Sequence, residues 1–175
     1  CTDVNVNNVT KNIYPYYYKP EHFVKLGRKK IEKLIKKIGI FRIKAKSIYF
    51  MSKHLLKEHG GKVPKTYEQL EKLPGVGHKT ASVVMSQGFG YPAFAVDTHV
   101  HRLAQRWGLT NGKSVVQTER DLKKLFPKKN WNKLHLQIIY YGREYCKARS
   151  CFGITCKICT TCYPKRKKPI KTIKA

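Results

Sequence analysis

The sequence predicts an all-α fold with short connections between helices. Apolar residues recur at intervals of three and four along most of the chain, which is the spacing of helices that bury one face. No segment shows the alternation of apolar and polar residues that is typical of a half-buried β-strand. Capping residues and glycine-containing breaks separate the periodic segments, so the helix ends are also visible in the sequence.

The first half of the chain carries two long apolar stripes. One runs through Ile31, Leu34, Ile35 and Ile38, with lysines on the opposite face. A second stripe ends at Gly60, where two consecutive glycines stop the helix; it consists of Phe41, Ala45, Ile48, Met51 and Leu55. Each stripe predicts one amphipathic helix.

Further helices follow, and most of them have a recognisable first residue. Thr66 with Gln69, and Ser114 with Gln117, have the spacing of capping boxes, while Asp97 is a good N-cap. A helix is expected from His78 to about Gln87, and the last long helix carries Leu134, Ile138, Tyr141 and Tyr145. All these helices are joined by short breaks, as the fold class requires.

The composition limits the classes of function. The chain has 175 residues, 37 Lys and Arg against 10 Asp and Glu, and a net charge of +27. The hydrophobic share of 41% excludes a disordered basic tail, and no apolar run reaches the ~18 residues of a membrane-spanning helix. Such a charge favours binding to a polyanion, above all nucleic acid. The alternative is a lysine-rich composition spread over solvated helix faces.

Residues 73–81 read LPGVGHKTA and lie between two predicted helices. Gly75 and Gly77 allow a tight turn and the close approach of another backbone, and the helix that follows offers N–H groups to a phosphate. Gly-x-Gly alone is also compatible with an ordinary turn between helices. The longer segment, however, resembles a helix-hairpin-helix DNA-binding motif.

A second segment, AVDTHVHR at residues 95–102, resembles a signature of the endonuclease III family of DNA glycosylases. The spacing between the two segments also matches that family, and the resemblance runs from Thr2 to at least Cys146. It implies a helix-hairpin-helix glycosylase fold of two helical domains with a DNA-binding cleft between them. It also implies double-stranded DNA with a damaged base or an abasic site as the partner.

The resemblance implies base-excision repair. Family members remove oxidised pyrimidines and then cut the strand beside the abasic site, and Lys79 is expected to be the nucleophile that forms a Schiff base. A lysine must be neutral for this, and the N-terminal end of a helix disfavours the ammonium form. Two alternatives are an adenine-mismatch glycosylase, which would lack the lysine, and a non-catalytic DNA-binding module.

The resemblance assigns roles to five further positions. Asp97 is expected to be the carboxylate partner of the lysine, although an aspartate there also caps a helix without any catalysis. Gly75, Val76 and Gly77 are expected to bind a DNA phosphate. Ile40 is expected to be a wedge inserted into the duplex when a nucleotide leaves the stack; the alternative is a buried isoleucine between two helices.

Five of the six cysteines lie between residues 146 and 162. The family usually holds a [4Fe–4S] cluster near the C-terminus, which implies Cys146, Cys156, Cys159 and Cys162 as ligands. The spacing departs from the family pattern, and a set that starts from Cys151 is also possible. The alternatives are zinc on the same thiolates and a loop with no metal or with incidental disulfides.

The predicted organisation has four parts: a helical domain over residues 1–91, a second over 92–145, a cysteine-rich loop over 146–162 and a mobile basic tail over 163–175. By comparison with the family, the chain starts partway through an early helix and lacks a gap-filling residue before Cys1. We therefore expect a fragment of a longer product, monomeric, without a membrane anchor and cytoplasmic with the nucleoid. Organelle targeting is not excluded, because the true start is missing.

Overall fold

The computed structural model describes residues 3–175, so that Cys1 and Thr2, where the family resemblance begins, lie outside the described residues. Within that range the protein forms α-helices, one π-helical turn and one 3₁₀ turn, and no β-strand. The helices are α1 (Asp3–Thr10), α2 (Pro20–Leu34), α3 (Phe41–His59), α4 (Tyr67–Glu71), α5 (His78–Val83), α6 (Thr98–Arg106), α7 (Val115–Leu125), α8 (Trp131–Glu144) and α9 (Lys157–Cys162). The predicted all-α class is confirmed.

The chain divides into two compact units, one that ends at Ala81 and one over Ser82–Ala175. The dividing point is inside α5 and precedes the boundary after residue 91 that the sequence predicts. The four-part division therefore stays a prediction.

In the first unit, α2 packs along α3. The buried core consists of Ile13, Ile31, Ile35, Ile38 and Ala45, with the rings of Tyr17, Phe23 and Phe41 against it. Leu34, which was expected on the same stripe, is instead exposed. The reason is that α2 ends at Leu34, after which Ile35 and Ile38 reach the core from a turn rather than from a continuing helix.

In the second unit, α6 lies in the centre and contacts both α7 and α8. Val100, Leu103 and Ala104 are buried on α6 at intervals of three and four residues, and they pack with Phe94, Leu122 and Ile138. Four cysteines, Cys146, Cys151, Cys156 and Cys159, belong to the same core. The cysteine-rich loop is thus a packed part of this unit and not an appendage.

The predicted helix starts are confirmed where a side chain caps them. Thr66 accepts a hydrogen bond from the backbone N–H of Gln69, and Ser114 accepts one from that of Gln117. The helix that begins at His78 continues through a π-helical turn over Val84–Gly88. No helix among residues 3–175 combines the length and the apolar character that crossing a membrane requires.

Candidate functional site

The turn between α4 and α5 holds the glycines that the sequence singled out. Gly75 has φ +83°, a left-handed conformation that glycine adopts without strain, and a Cβ built there would lie 2.6 Å from the side chain of Ser47. Gly77 lies outside the left-handed region, and a Cβ there would meet nothing within 4 Å. The first glycine is therefore required by the fold of this unit, whereas the second leaves an open space above the backbone.

Both helices of the hairpin are braced against each other. His78 Nδ1 lies 2.6 Å from Glu71 Oε1, and the His78 ring stacks on Tyr67 at a centroid distance of 5.4 Å. Leu73 and Ala81 are buried beneath the turn. The backbone N–H of Val76 donates to the carbonyl of Leu73, so this amide is already used inside the turn. These contacts hold the turn against the two helices that flank it.

Lys79 is the second residue of α5 and its side chain is exposed. A helix starts with backbone N–H groups that no preceding carbonyl accepts, and its N-terminal end is positive. The ε-amine of Lys79 is therefore accessible to a large substrate, next to a loop whose open backbone faces solvent at Gly77.

Asp97 belongs to the second unit and is the N-cap of α6. Its Oδ1 accepts hydrogen bonds from the backbone N–H groups of His99 and Val100, each at 2.9 Å. The capping role is thus real. The side chain is half-buried, and one carboxylate oxygen is the acceptor in both of these contacts. The second oxygen takes part in neither of these two contacts.

Two histidines follow Asp97 on the same helix. Burial lowers the pKa of His99, a shift that Asp97 opposes and that Arg102 and Arg143 reinforce. Burial also lowers the pKa of His101, whose Nδ1 lies 2.8 Å from Thr118 Oγ1. His101 is a buried link between α6 and α7.

Ile40 stands at the turn before α3. It is 67% exposed and has φ +53°, a left-handed conformation that is unusual for a β-branched residue. Ile38, two residues earlier, is buried in the core. The turn therefore presents Ile40 to solvent at a conformational cost, and the alternative of a buried isoleucine between helices applies to Ile38 instead.

A group of four cysteine thiols lies in the second unit, and we call it the thiol cluster: Cys146, Cys151, Cys156 and Cys159. Their Sγ atoms all lie within 4.8 Å of one another, and all four residues are buried. Cys159 Sγ is 3.8 Å from that of Cys146 and 3.9 Å from that of Cys151, far beyond the ~2.05 Å of a disulfide. The thiols are free, and four thiolates are a ligand set for a metal centre.

The thiol cluster differs from the predicted ligand set in one member. Cys162 is exposed at the end of α9, and Cys151 takes the fourth place. The chain reverses directly after Cys151, where Phe152 and Gly153 both have positive φ, and this reversal brings Cys151 next to Cys159. Gly153 is the sequence signal that could have indicated the reversal.

Arginines of α6 surround the thiol cluster. Arg106 is buried, and its Nη1 donates to Cys146 Sγ at 3.2 Å and to the carbonyl of Lys147 at 2.9 Å. Arg102 donates to the carbonyls of Gly142 and Cys146. A guanidinium beside a thiolate offsets its charge, which favours ligation of a cation by four thiolates. The sequence did not single out Arg106 as a neighbour of the thiol cluster; its i, i+4 spacing from Arg102 is the available signal.

The pKa values of two thiols, those of Cys146 and Cys151, shift in opposite directions. Burial raises the pKa of Cys146 to about 11, although the Arg106 hydrogen bond opposes the shift. Burial also raises the pKa of Cys151, but hydrogen bonds from the Thr155 hydroxyl and from nearby backbone N–H groups outweigh it and lower the pKa to about 5. Hydrogen bonds from those donors stabilise the thiolate form of Cys151.

Comparison with known proteins identifies the family. Residues 1–128 match the HhH-GPD superfamily of base excision DNA repair proteins. The chain belongs to this superfamily. Endonuclease III of Bacillus subtilis (strain 168) is 42% identical over 172 residues, which cover 98% of this chain and 78% of that relative. Endonuclease III of Escherichia coli (strain K12) is 40% identical over 170 residues, which cover 97% of this chain and 81% of the relative.

A solved structure of an endonuclease III has the same fold. A trapped covalent intermediate of endonuclease III with DNA superimposes with a TM-score of 0.86 at 41% identity, covering 90% of this chain and 75% of that one. The helix-hairpin-helix fold that the sequence resemblance implied is therefore confirmed.

Proposed function

We propose that this protein is a base-excision DNA glycosylase with AP lyase activity, of the endonuclease III type. The observation that carries the proposal is Lys79, exposed directly after the glycine turn, in a chain that is 42% identical to an endonuclease III. A similar structure holds endonuclease III covalently bound to DNA, which is the kind of complex that a lysine nucleophile forms.

In the proposed reaction, the neutral ε-amine of Lys79 attacks C1′ of the damaged nucleoside. The C1′–N bond breaks and its electron pair leaves with the base, which takes up a proton. The amine loses one of its two protons; the C1′–O4′ bond then breaks, O4′ takes up a proton, and a protonated Schiff base forms between Lys79 and C1′. Removal of a C2′ proton then expels the 3′ phosphate by β-elimination, and water releases the lysine. Oxidised pyrimidines are the substrate class that the family suggests.

Asp97 is proposed to act on this reaction as a carboxylate. A negative charge stabilises the positive charge that develops on the sugar, and a carboxylate also accepts and returns protons. Its backbone hydrogen bonds to His99 and Val100 fix the orientation of the side chain. The capping contacts therefore serve the proposed catalytic role by holding the carboxylate in one rotamer.

The turn at Gly75, Val76 and Gly77 is proposed to hold a DNA phosphate. The Val76 amide is used by Leu73, so Gly77 and the first turn of α5 are the groups that we expect at the phosphate. The absence of a side chain at Gly77 lets the phosphate approach the backbone closely. Phosphate contacts of this kind position the protein without reading the base sequence.

Ile40 is proposed to fill the gap that a flipped nucleotide leaves. An apolar side chain placed between base steps compensates for lost stacking. Its exposure and its left-handed backbone support this role, since nothing in the packing of the first unit requires an isoleucine there.

The thiol cluster is proposed to hold a metal centre, a [4Fe–4S] cluster as is usual in the family. Cys146, Cys151, Cys156 and Cys159 would be the ligands, and four buried free thiols fit that group chemically. The centre would brace the loop over residues 147–158 and supply no reacting group. Zinc is the second candidate, because Sγ separations of 3.8 and 3.9 Å suit four thiolates around one ion with Zn–S bonds of about 2.3 Å.

The decisive experiment is reductive trapping. The protein is incubated with duplex DNA that contains an abasic site in the presence of borohydride, which reduces a Schiff base to a stable amine. We expect a covalent adduct with the parent protein and with Lys62→Ala, a control at an exposed lysine of the same unit. Lys79→Ala should give no adduct. Binding of DNA by the parent without any adduct would contradict the lyase and indicate a non-catalytic DNA-binding module.

A further inference from the structure

The C-terminal segment, residues 163–175, is anchored to the second unit along most of its length; we call it the strap. The side-chain amide of Gln105 on α6 pairs with the backbone of Ile173 in both directions. The Ile173 N–H donates to Gln105 Oε1 at 2.7 Å, and Gln105 Nε2 donates to the Ile173 carbonyl at 3.0 Å. The N–H of Ile170 donates to the carbonyl of Phe152 at 2.9 Å. The segment therefore differs from the mobile tail that the sequence suggested.

Arg166 is a third anchor, near the start of the strap. Its Nη1 donates to the carbonyl of Arg106 at 2.8 Å and to that of Gly153 at 3.1 Å. The guanidinium also lies 3.7 Å from the centre of the Tyr163 ring, a cation–π contact. One side chain thus joins the strap to the end of α6 and to the loop of the thiol cluster.

Two glycines make room for the strap. A Cβ on Gly153 would meet the side chain of Ile170, and a Cβ on Gly108 would meet the Tyr163 ring. Both glycines also have positive φ. The strap therefore lies against the unit at van der Waals distance at two separate places, which a loosely attached tail would not do.

The strap carries a one-sided charge. Residues 145–175 contain no Asp or Glu, and the strap has six Lys or Arg. Arg166 is used as an anchor, whereas the other five are exposed: Lys165, Lys167, Lys168, Lys171 and Lys174. The loop of the thiol cluster adds Lys147, Arg149 and Lys157, which are exposed as well. The anchoring groups and the exposed cations are thus different residues, so the anchors fix where the cations stand.

We propose that the strap is a phosphate-binding surface for duplex DNA, and that Gln105 and Arg166 are the residues that position it. The proposal rests on the proposed function, since it takes DNA as the partner. Lysines on an anchored backbone lose less conformational freedom on binding than lysines on a mobile tail, so each phosphate contact contributes more to affinity. The partner is the sugar–phosphate backbone, and no base recognition is implied.

The first experiment measures the contribution of the strap lysines. Binding of the full chain to a fluorescent duplex with an abasic-site analogue is followed by anisotropy from 50 to 200 mM salt. Each lost phosphate contact reduces the slope of log K against log salt by about 0.9. We expect the triple variant K167Q/K168Q/K171Q to lower the slope by roughly two to three, with a loss of affinity of about tenfold.

A matched control removes the same number of charges elsewhere in the same unit. K128Q/K129Q/K133Q changes three exposed lysines around the start of α8 and leaves the strap intact. We expect it to change the slope by less than one. Equal effects of the two triple variants would mean that only total charge counts, and would overturn the proposal.

The second experiment tests the anchoring. Arg166→Lys keeps the charge but removes the planar guanidinium that donates to two carbonyls and lies over the Tyr163 ring, and Gln105→Ala removes the pairing with Ile173. Hydrogen exchange should show protected amides at Ile170 and Ile173 in the parent, with faster exchange in both variants. Both variants should also bind DNA several-fold more weakly although no strap lysine is lost. If Arg166→Lys bound DNA with the affinity of the parent, the lysines would act as a mobile tail, and the proposal that anchoring positions them would be overturned.

The two proposals fail in distinguishable ways. If Lys79 forms the trapped adduct while the strap variants keep the salt dependence of the parent, the proposed role of the strap is wrong and the proposed function stands. If the parent neither traps nor binds DNA, the proposed function and the assigned partner of the strap are both wrong. Gln105→Ala is the variant most at risk of misfolding, because Gln105 is buried. If Gln105→Ala does not fold, the result with Arg166→Lys decides whether the anchors position the strap.

Discussion

Asp97 caps α6 and is the proposed catalytic carboxylate, and substitutions can separate these two roles. Asparagine retains a side-chain oxygen for the N–H groups of His99 and Val100 but carries no charge, so Asp97→Asn should leave stability within about 0.5 kcal/mol of the parent. Base removal should fall by 10²-fold or more, since the carboxylate is lost. Asp97→Ala loses the cap too, at a cost of about 1 kcal/mol. Urea unfolding and single-turnover base release measure the two effects; normal activity of Asp97→Asn would refute the catalytic role.

Replacement of Ile40 by glycine should have the opposite combination of effects: a more stable fold and a weaker function. A β-branched residue in the left-handed region costs about 1–2 kcal/mol, and glycine avoids most of that cost. Ile40→Gly should therefore raise the free energy of unfolding by about 1 kcal/mol, while activity on duplex DNA falls because the wedge is absent.

Ile43→Ala is the matched control for that substitution, because Ile43 is equally exposed but lies in regular helix on α3. We expect it to retain the parent activity. Urea unfolding and turnover of a damaged duplex by the two variants measure the difference. If Ile40→Gly processed a damaged duplex as fast as the parent, the wedge assignment would be wrong.

At the scale of an element, the hairpin between α4 and α5 contains two glycines with different reasons to be there. Gly75→Ala should destabilise the protein by about 1–3 kcal/mol, because the methyl group meets Ser47 and the backbone is left-handed. Gly77→Ala should leave stability unchanged or slightly higher, since its methyl group points into open space.

The DNA affinity of Gly77→Ala should nevertheless fall several-fold, because the methyl group occupies the space of the phosphate. Thermal unfolding and anisotropy with duplex DNA measure the two effects separately. If Gly77→Ala bound DNA with the affinity of the parent, the proposed phosphate site at Gly77 would be wrong.

The loop of the thiol cluster is a second element with a sharp prediction. Cys151→Ser should lose most of the bound metal, whereas Cys162→Ser should retain it, because only the first belongs to the buried group. Metal analysis and the visible spectrum after anaerobic purification measure this, and iron with a yellow-brown colour separates the iron–sulfur centre from zinc. Loss of metal from Cys162→Ser but not from Cys151→Ser would restore the ligand set that the family resemblance implied.

These elements also show what the sequence could predict. Helix caps are local, since the capping side chain and the N–H groups that donate to it lie within three residues. Thr66, Asp97 and Ser114 were therefore recognisable as helix starts. The glycine turn and its lysine were recognisable because the whole motif spans nine residues. The place of Cys151 depends on a chain reversal at Phe152 and Gly153, and cysteine spacing alone does not reveal it.

At the scale of the whole molecule, the sequence predicted the fold class but not the contacts between distant segments. Ile173 pairs with Gln105, 68 residues earlier, and Arg166 reaches the carbonyl of Arg106. A run of lysines looks the same in a mobile tail and in an anchored strap, because the anchors are a glutamine and backbone groups that carry no periodic signal. The high net charge therefore indicated a polyanion correctly, while the position of its cations required the structure.

The stability of the whole protein should depend on pH through its buried histidines. Burial lowers the pKa of His101 and of His99 below the usual 6.5, so the unfolded chain binds more protons than the folded one in this range. The contribution of these histidines to stability should then be complete above about pH 6.5. The free energy of unfolding should fall as the pH drops below that value, with a slope of up to about 1.4 kcal/mol per pH unit for each proton taken up.

The measurement is the midpoint of urea unfolding at pH 7.5, 6.5 and 5.5, a range that lies above the ordinary titration of the carboxylates. We expect the midpoint to change little between pH 7.5 and 6.5 and to decrease at pH 5.5. His101→Gln should lower the midpoint at every pH, because the contact with Thr118 is altered, but its loss between pH 6.5 and 5.5 should be smaller than that of the parent. The same pH dependence in both proteins would mean that His101 does not bind an extra proton on unfolding.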